Sequence, residues 1–312
     1  MRELTVGAND VGRRLDRFLA ASFPHLPVSL LQRWIREKKV RLRGKHLPPD
    51  TRLEQGDTVA LYVDHATLDR PDETQSFLRI QQPKLDIVYE DEHILLVNKP
   101  AGLSVHADEH EQVHTLIGHI QSYLYQAGVW RPQEENSFAP SLAHRLDRNT
   151  SGLVLAAKTA PALRLLNEKM AAREIEKRYL CLVVGQLQPK SGQLSHILRR
   201  DLKRKQVSVY DHPVPDGRTA VLRYRTIAVR EGCSLLDIEL LTGRTHQIRA
   251  QLAHIGHPLV GDGKYGKPDA AFRGQALCAY KLAFRFIGPS QPLDYLNGKE
   301  FSIDPPFSVS PP

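Results

Sequence analysis

Ser141-Leu142-Ala143-His144-Arg145-Leu146-Asp147-Arg148-Asn149-Thr150-Ser151-Gly152-Leu153 is the stretch around which the chain is organised. It gathers His144, Arg145, Asp147 and Arg148 within five residues and runs straight into Leu153-Val154-Leu155-Ala156-Ala157. That apolar run has the length of a buried strand. Asp147 therefore stands in a polar loop entering a rigid element, the setting in which function-bearing residues concentrate. Two readings follow from the residues alone. An aspartate between arginines is a common surface ion-pair cluster of little energetic weight, and Asn149-Thr150-Ser151-Gly152 is ordinary turn chemistry. Alternatively the loop is a site. Flanking guanidinium groups favour the charged form of a carboxylate, which suits a nucleophile better than a general acid.

The chain has 312 residues, room for a core-bearing domain plus a smaller one. Its net charge of +8 and pI near 9.4 point to a polyanionic partner such as nucleic acid. No apolar stretch reaches the roughly 20 residues of a membrane span, and Met1-Arg2-Glu3-Leu4-Thr5 lacks the apolar region of a signal peptide. Cys181, Cys233 and Cys278 form no Cys-x-x-Cys motif. A reducing cytoplasm and a monomer are expected.

Outward from the central stretch the chain divides into four parts. Residues 1–65 read as a small α/β unit with 12 Lys and Arg against 8 Asp and Glu. Helical spacing runs from Arg13 to Ser22, with Leu15, Phe18 and Leu19 on one face. Ser29 is a candidate N-cap for a second helix whose apolar face is Leu30, Leu31, Trp34 and Ile35. Arg33, Arg36, Lys38 and Lys39 lie largely off that face, and Arg41 sits in a short strand after it. A charged face is often merely solvated; here it is the candidate for touching phosphates, which positions a protein without reading sequence. Residues 66–82 are polar and read as a linker. Residues 83–305 hold the main domain, and 306–312 form a Pro-rich tail expected to be poorly ordered.

In the main domain, strands are expected at Leu85–Tyr89 and Ile94–Asn98, followed by Lys99-Pro100-Ala101-Gly102-Leu103-Ser104-Val105-His106, a strand ending in a Pro-Gly turn. His110-Glu111-Gln112-Val113-His114, with Glu134 beyond it, matches a zinc pattern. The polar residues before it would not anchor a zinc helix, so a surface helix through Leu116, Ile117 and Ile120 is the better reading. A helix is expected from Ala160 to Arg173, then a strand from Glu176 to Gly185 with Tyr179 near its start. Without further context Tyr179 is a core tyrosine with a satisfied hydroxyl. Arg199 to Lys205 is a basic run, either solvated or in contact with phosphates. Strands at Leu222–Val229 and Ser234–Leu241 lead to Thr242-Gly243-Arg244-Thr245-His246-Gln247-Ile248-Arg249. There Thr245 could cap a helix, with Arg249 one turn later on the same side.

The central stretch, from His144 to Leu153, resembles the signature of the RluA-type pseudouridine synthases. Three further blocks agree: Lys99 to His106, Lys177-Arg178-Tyr179 with its apolar strand, and Thr242 to Arg249 extending to Asp262. Ala276 to Leu282 resembles the family's last block, but Cys278 stands where the family commonly has His. Residues 1–65 resemble an S4 RNA-binding module. The resemblance covers nearly the whole chain. It implies an α+β protein: a catalytic domain with a mainly antiparallel sheet flanked by helices and loops, plus the small S4-like unit. It implies conversion of uridine to pseudouridine in RNA, with ribosomal RNA favoured over transfer RNA and no cofactor or metal. Asp147 would either attack ribose C1′ or promote elimination across the sugar. Arg249 would pair with Asp147, Tyr179 would stack on the uracil, and Arg145 would fill the space left by a flipped base. His144 would bind or pack within the loop. Arg33, Arg36, Lys38, Lys39 and Arg41 would contact RNA. Rival readings are an RNA-binding factor with an inactive synthase domain, a base-releasing glycosidase, and a zinc hydrolase.

Overall fold

A computed structural model describes residues 1–68, 72–109, 111–201, 205–269 and 274–307. His110, Leu202-Lys203-Arg204 and residues 308–312 of the tail lie outside them.

The first unit consists of β1 (Arg2–Thr5), α1 (Leu15–Ser22), α2 (Val28–Arg36), β2 (Val40–Leu42) and β3 (Thr58–Leu61). Its strands form an antiparallel sheet in the order β1-β3-β2. Leu15, Phe18 and Leu19 from α1 and Leu31, Trp34 and Ile35 from α2 are buried together, as their helical spacing requires. Helix α2 begins at Val28, earlier than a Ser29 cap would allow. Pro27 stands at the cap with φ −59°, and its carbonyl accepts from the Leu30 and Leu31 N–H groups.

The segment expected as a linker contains α3 (His65–Leu68) and a 3-10 stretch, Asp72–Arg79. Leu68 is buried in the first core, and Phe77 is buried in the main one against Trp130, ring centroids 5.1 Å apart. Polar contacts join the two units. Asn9 Nδ2 donates to Glu135 Oε1 at 2.6 Å, Asn136 Nδ2 to the Thr5 carbonyl at 2.6 Å, and Ser137 Oγ to Asp10.

The main unit adds β4 (Ile87–Glu90), β5 (Ile94–Lys99), α4 (Leu116–Gln126), β6 (Ser141–Leu142), β7 (Ser151–Ala157), α5 (Ala160–Ala171), β8 (Ile175–Val184), β9 (Ser191–Asp201), β10 (Gln206–Tyr210), β11 (Arg218–Arg230), β12 (Cys233–Leu240), α6 (Gln247–His254), β13 (Leu277–Phe284) and β14 (Glu300–Ser302). Eleven strands make one sheet with the order β10-β9-β11-β12-β8-β13-β7-β5-β4; β6 pairs with β7 and β14 with β13. Every pairing is antiparallel except β7 with β13. The fold is the expected α+β arrangement.

All seven residues of β7 are buried. Val154 and Ala156 share a core with Leu116, Ile120 and Leu124 of α4, while Leu153 and Leu155 share one with Ala162 and Leu166 of α5. A strand covered on both faces reads as a continuous apolar run, and β7 does. Thr115 and Thr159 cap α4 and α5 by accepting N–H bonds from Gly118 and Ala162. The surface helix expected to open at His110 begins only at Leu116. Glu111 Oε1 accepts from the Val113 and His114 N–H groups at 2.8 Å each, so this stretch is a turn.

Candidate active site

Four chain segments bring the reactive groups together. The β6–β7 loop carries His144, Arg145 and Asp147. Strand β8 carries Tyr179, α6 and the residue before it supply Arg249 and His246, and the turn after α6 supplies Asp262 and Tyr265. Opposite Tyr179, β13 has a bulge between Cys278 and Lys281, a local twist of the kind that re-aims a side chain beside a site. Tyr179 is 5% exposed. Burial, then the Asp147 charge, raise its phenol pKa, so it stays protonated.

Arg249 joins two carboxylates. Its Nε and one terminal nitrogen hold buried Asp262 at 2.7 and 2.9 Å, and its other terminal nitrogen donates to Asp147 Oδ2 at 2.9 Å. Asp262 also accepts from the Lys264 and Tyr265 N–H groups. Burial works to lower the Arg249 pKa, but Asp262 and then Asp147 outweigh it and raise it. The guanidinium is thus fixed in charge and direction before it reaches Asp147. Asp147 Oδ1 has no hydrogen-bond partner among the described residues.

Thr245 does not cap α6. His246 occupies that position in left-handed backbone, φ 52° and ψ 22°, and its ring enters the cleft instead. Its Nε2 lies 4.0 Å from Asp147 Oδ2 and its Nδ1 2.8 Å from the Tyr265 hydroxyl. Lys99 is fully buried, and its ammonium donates at 2.8 Å to the carbonyls of Pro100, Leu103 and Arg148. It therefore ties the turn after β5 to the loop holding Asp147. Burial draws its pKa down to about 7 while the Asp147 charge acts upward.

His144 and Arg145 differ in role. His144 Nε2 accepts from the Leu155 N–H at 3.2 Å, which ties the loop to β7, and its Nδ1 is buried without a partner. Arg145 is exposed and forms no hydrogen bond or ion pair among the described residues. Two cavities meet at Asp147, His246 and Arg249. One, about 420 Å³, has Tyr179, Leu240, Ile248 and Leu277 among its lining. The other, about 360 Å³, is lined by Ser104, His106, Arg145, Arg148 and Lys264. The first has the more apolar lining and the second the more polar.

Of the residues expected from sequence, Asp147, Tyr179, Arg249, His144 and Arg145 all line the first cavity. Arg33, Arg36, Lys38, Lys39 and Arg41 belong to the first unit and line neither cavity. Arg33 and Lys39 pair with Glu37 at 3.9 and 2.7 Å, and Arg41 lies 5.0 Å above the Tyr62 ring. The sequence reading missed Asp262, His246, Tyr265 and the anchoring role of Lys99. Lys99, His246 and Asp262 lay inside the quoted blocks, but pairings across such distances leave no local signal. In the zinc pattern, Glu111 is committed to backbone N–H groups. Cys278 is buried, its thiol pushed up by burial and drawn down by Ser151.

An arginine that grips one carboxylate and steers a second thus stands where a pocket walled by Tyr179 meets a groove rimmed by Arg145 and Arg148. Residues 93–254 match the profile of the RNA pseudouridylate synthases. The ribosomal large subunit pseudouridine synthases D of Yersinia pestis and Escherichia coli K12 are each 35% identical over 263 residues, 84% of this chain and 75% of theirs. The Xanthomonas campestris protein of the same name is 36% identical over 267 residues. Among solved structures, human RNA pseudouridylate synthase domain containing 1 is 22% identical. It aligns at a TM-score of 0.55 over 72% of this chain and 85% of its own, which shows a shared fold. The human domain containing 4 protein aligns at 0.55 with 18% identity, over 75% of this chain and 93% of its own. The chain belongs to the RluA-type RNA pseudouridine synthases and is an isomerase of that class.

Proposed function

We propose that this enzyme isomerises particular uridines of large-subunit ribosomal RNA, with Asp147 as the residue that acts on the ribose. The names of its relatives support the choice of RNA. The observation that carries the chemistry is the Arg249 bridge, which holds one oxygen of Asp147 at 2.9 Å and leaves the other without a partner among the described residues, on a residue that lines both cavities. The reaction exchanges one bond for another within the nucleotide. The N1–C1′ bond breaks, the uracil turns, C5 bonds to C1′, the C5 hydrogen leaves as a proton, and N1 gains one. Redox state is unchanged.

Asp147 acts at the sugar, by attack on C1′ or by taking the C2′ hydrogen; both require the carboxylate that Arg249 orients. Tyr179 forms the wall on which the uracil stacks. The base reaches this pocket by leaving its stack, and Arg145, without a hydrogen-bond partner among the described residues and at the junction of both cavities, takes the vacated place. The first unit is read as S4-like. Its Arg33, Arg36, Lys38, Lys39 and Arg41 supply contacts to phosphates, and specificity comes from RNA shape.

The test is tritium release from RNA labelled at uridine C5, comparing wild type with Asp147→Asn on ribosomal and transfer RNA. Release by wild type from large-subunit RNA, with none by Asp147→Asn at intact RNA affinity, is the expected result. Release from transfer RNA alone would overturn the choice of target, and activity in Asp147→Asn would overturn the role of the aspartate.

A further inference from the structure

Both side chains that approach Asp147 approach the same oxygen. Arg249 donates to Oδ2 at 2.9 Å, and His246 Nε2 stands 4.0 Å from it. The imidazole is held for this position. His246 adopts left-handed backbone, which a residue with a Cβ occupies only under strain. Its Nδ1 is 2.8 Å from the Tyr265 hydroxyl, which itself accepts from the Val207 N–H at 2.8 Å. A phenol has one proton to give. With Val207 filling one acceptor site, Tyr265 keeps that proton to offer to Nδ1. The Tyr265 ring is fixed in turn 5.3 Å from the Arg249 guanidinium. Burial pushes the His246 pKa down to about 4, against the pull of Asp147 and Asp262 and with the help of Arg249 and Lys264. With the Tyr265 hydroxyl donating to Nδ1, the single proton of the neutral ring stands on Nε2, facing Asp147.

A separation of 4.0 Å is too long for a hydrogen bond. It is the right separation for one oxygen set about 2.8 Å from each group. That oxygen must accept from Nε2–H and donate to the carboxylate, which is what a hydroxyl does. The ribose 2′-hydroxyl is donor and acceptor at once, and it is borne by the carbon next to C1′. Resting on the reading that Asp147 acts at the sugar, we infer that His246 and Asp147 Oδ2 form the receptor for the 2′-hydroxyl of the target uridine. Oδ1, without a partner among the described residues, is left to face the reacting sugar carbons. His246 is thereby a residue that distinguishes ribose from deoxyribose at the modified position.

The experiment compares wild type and His246→Ala on RNA carrying uridine or 2′-deoxyuridine at the target position, with product formation read under single-turnover conditions. Removing the 2′-hydroxyl should slow wild type about tenfold or more, as for a lost hydrogen bond that leaves a buried partner unmet. His246→Ala should be slowed to a similar degree on uridine and should lose little more on 2′-deoxyuridine. His246→Gln, which retains an N–H donor, should recover part of the rate. Losses that multiply in full, with His246→Ala as sensitive to the sugar as wild type, overturn the inference. A second readout does not depend on turnover. Nitrogen-15 NMR of the wild-type protein should show a neutral His246 protonated on Nε2, and a proton on Nδ1 overturns the inference. The Asp147→Asn protein separates the two readings: turnover by that variant defeats the chemistry proposed for Asp147, whatever His246 does.

Discussion

At the scale of single residues, Arg249 shows how stability and reactivity share one side chain. Its bidentate grip on buried Asp262 sets the direction of the nitrogen that reaches Asp147. Arg249→Met would leave Asp262 charged and unpaired, at a cost of about 3 to 5 kcal/mol in urea unfolding. The double variant Arg249→Met/Asp262→Leu should recover most of that stability and none of the activity. A single-variant loss below about 1 kcal/mol would contradict the geometry. His144 makes a prediction in pH. Burial, with repulsion from Lys177, pushes its pKa down to about 3 from 6.5, so the unfolded chain takes up the proton first as pH falls. Its stabilising contribution is complete above 6.5 and is lost as pH falls through the window from 6.5 to about 3. The stability difference between wild type and His144→Gln should shrink across that window in thermal unfolding. A difference independent of pH would refute the assignment.

At the scale of elements, the site depends on how β7 meets β13. Their parallel pairing sets Gly152 against Ala279, directly after the loop that carries Asp147. A Cβ on Gly152 would lie 2.4 Å from the Ala279 oxygen and 2.6 Å from its nitrogen, and Gly152 has φ +118°, where other residues are strained. Gly152→Ala should cost about 3 kcal/mol or more through backbone strain and overpacking together. Whatever protein still folds should lose turnover through a displaced Asp147 loop. Calorimetry with a single-turnover assay tests this; unchanged melting would show that the strands separate without cost. Helix α6 contributes differently. Gln247 accepts from Thr242 Oγ1 at 2.8 Å and from the Arg244 N–H at 3.0 Å. These bonds fold the loop before the helix so that His246 and Arg249 both reach the cleft.

At the scale of the whole molecule, charge is unevenly shared. Residues 1–65 carry 12 basic and 8 acidic side chains of a chain whose net charge is +8. Arg36 and Lys38 are exposed and make no ion pair among the described residues. If this face binds phosphates, replacing Arg33, Arg36, Lys38, Lys39 and Arg41 by Gln should weaken RNA binding. It should also flatten the dependence of affinity on salt, by about 0.7 to 0.9 in logarithmic slope for each phosphate no longer neutralised. Single-turnover rates at saturating RNA should hardly change, because none of the five lines the cleft. An unaltered salt slope would remove this face from the RNA interface. The joints that Thr5, Asn9, Asp10 and Arg13 make across to Glu135, Asn136, Ser137 and Ala160 are polar. The first unit thus rests on the main one through hydrogen bonds, in the manner of an interface between domains.

The sequence by itself determined most of the elements and named the residues on which the proposed chemistry rests. The apolar run after Gly152 has the length of a buried strand, and β7 is one. Helical spacing fixed the buried faces of α1 and α2, and the motif blocks singled out Asp147, Tyr179 and Arg249. Such features are local, set by backbone periodicity and by residue types at short spacing. Tertiary structure alone decided the rest. Arg249 and Asp147 are 102 residues apart in sequence yet meet at 2.9 Å. The ammonium of Lys99 closes on a carbonyl 49 residues away. His246, rather than Thr245, takes the cap position, because left-handed backbone there turns its ring toward Asp147 and Tyr265. Each of these depends on which strands become neighbours in the sheet, a choice made by packing both faces of β7 at once and carried by no single stretch of the chain.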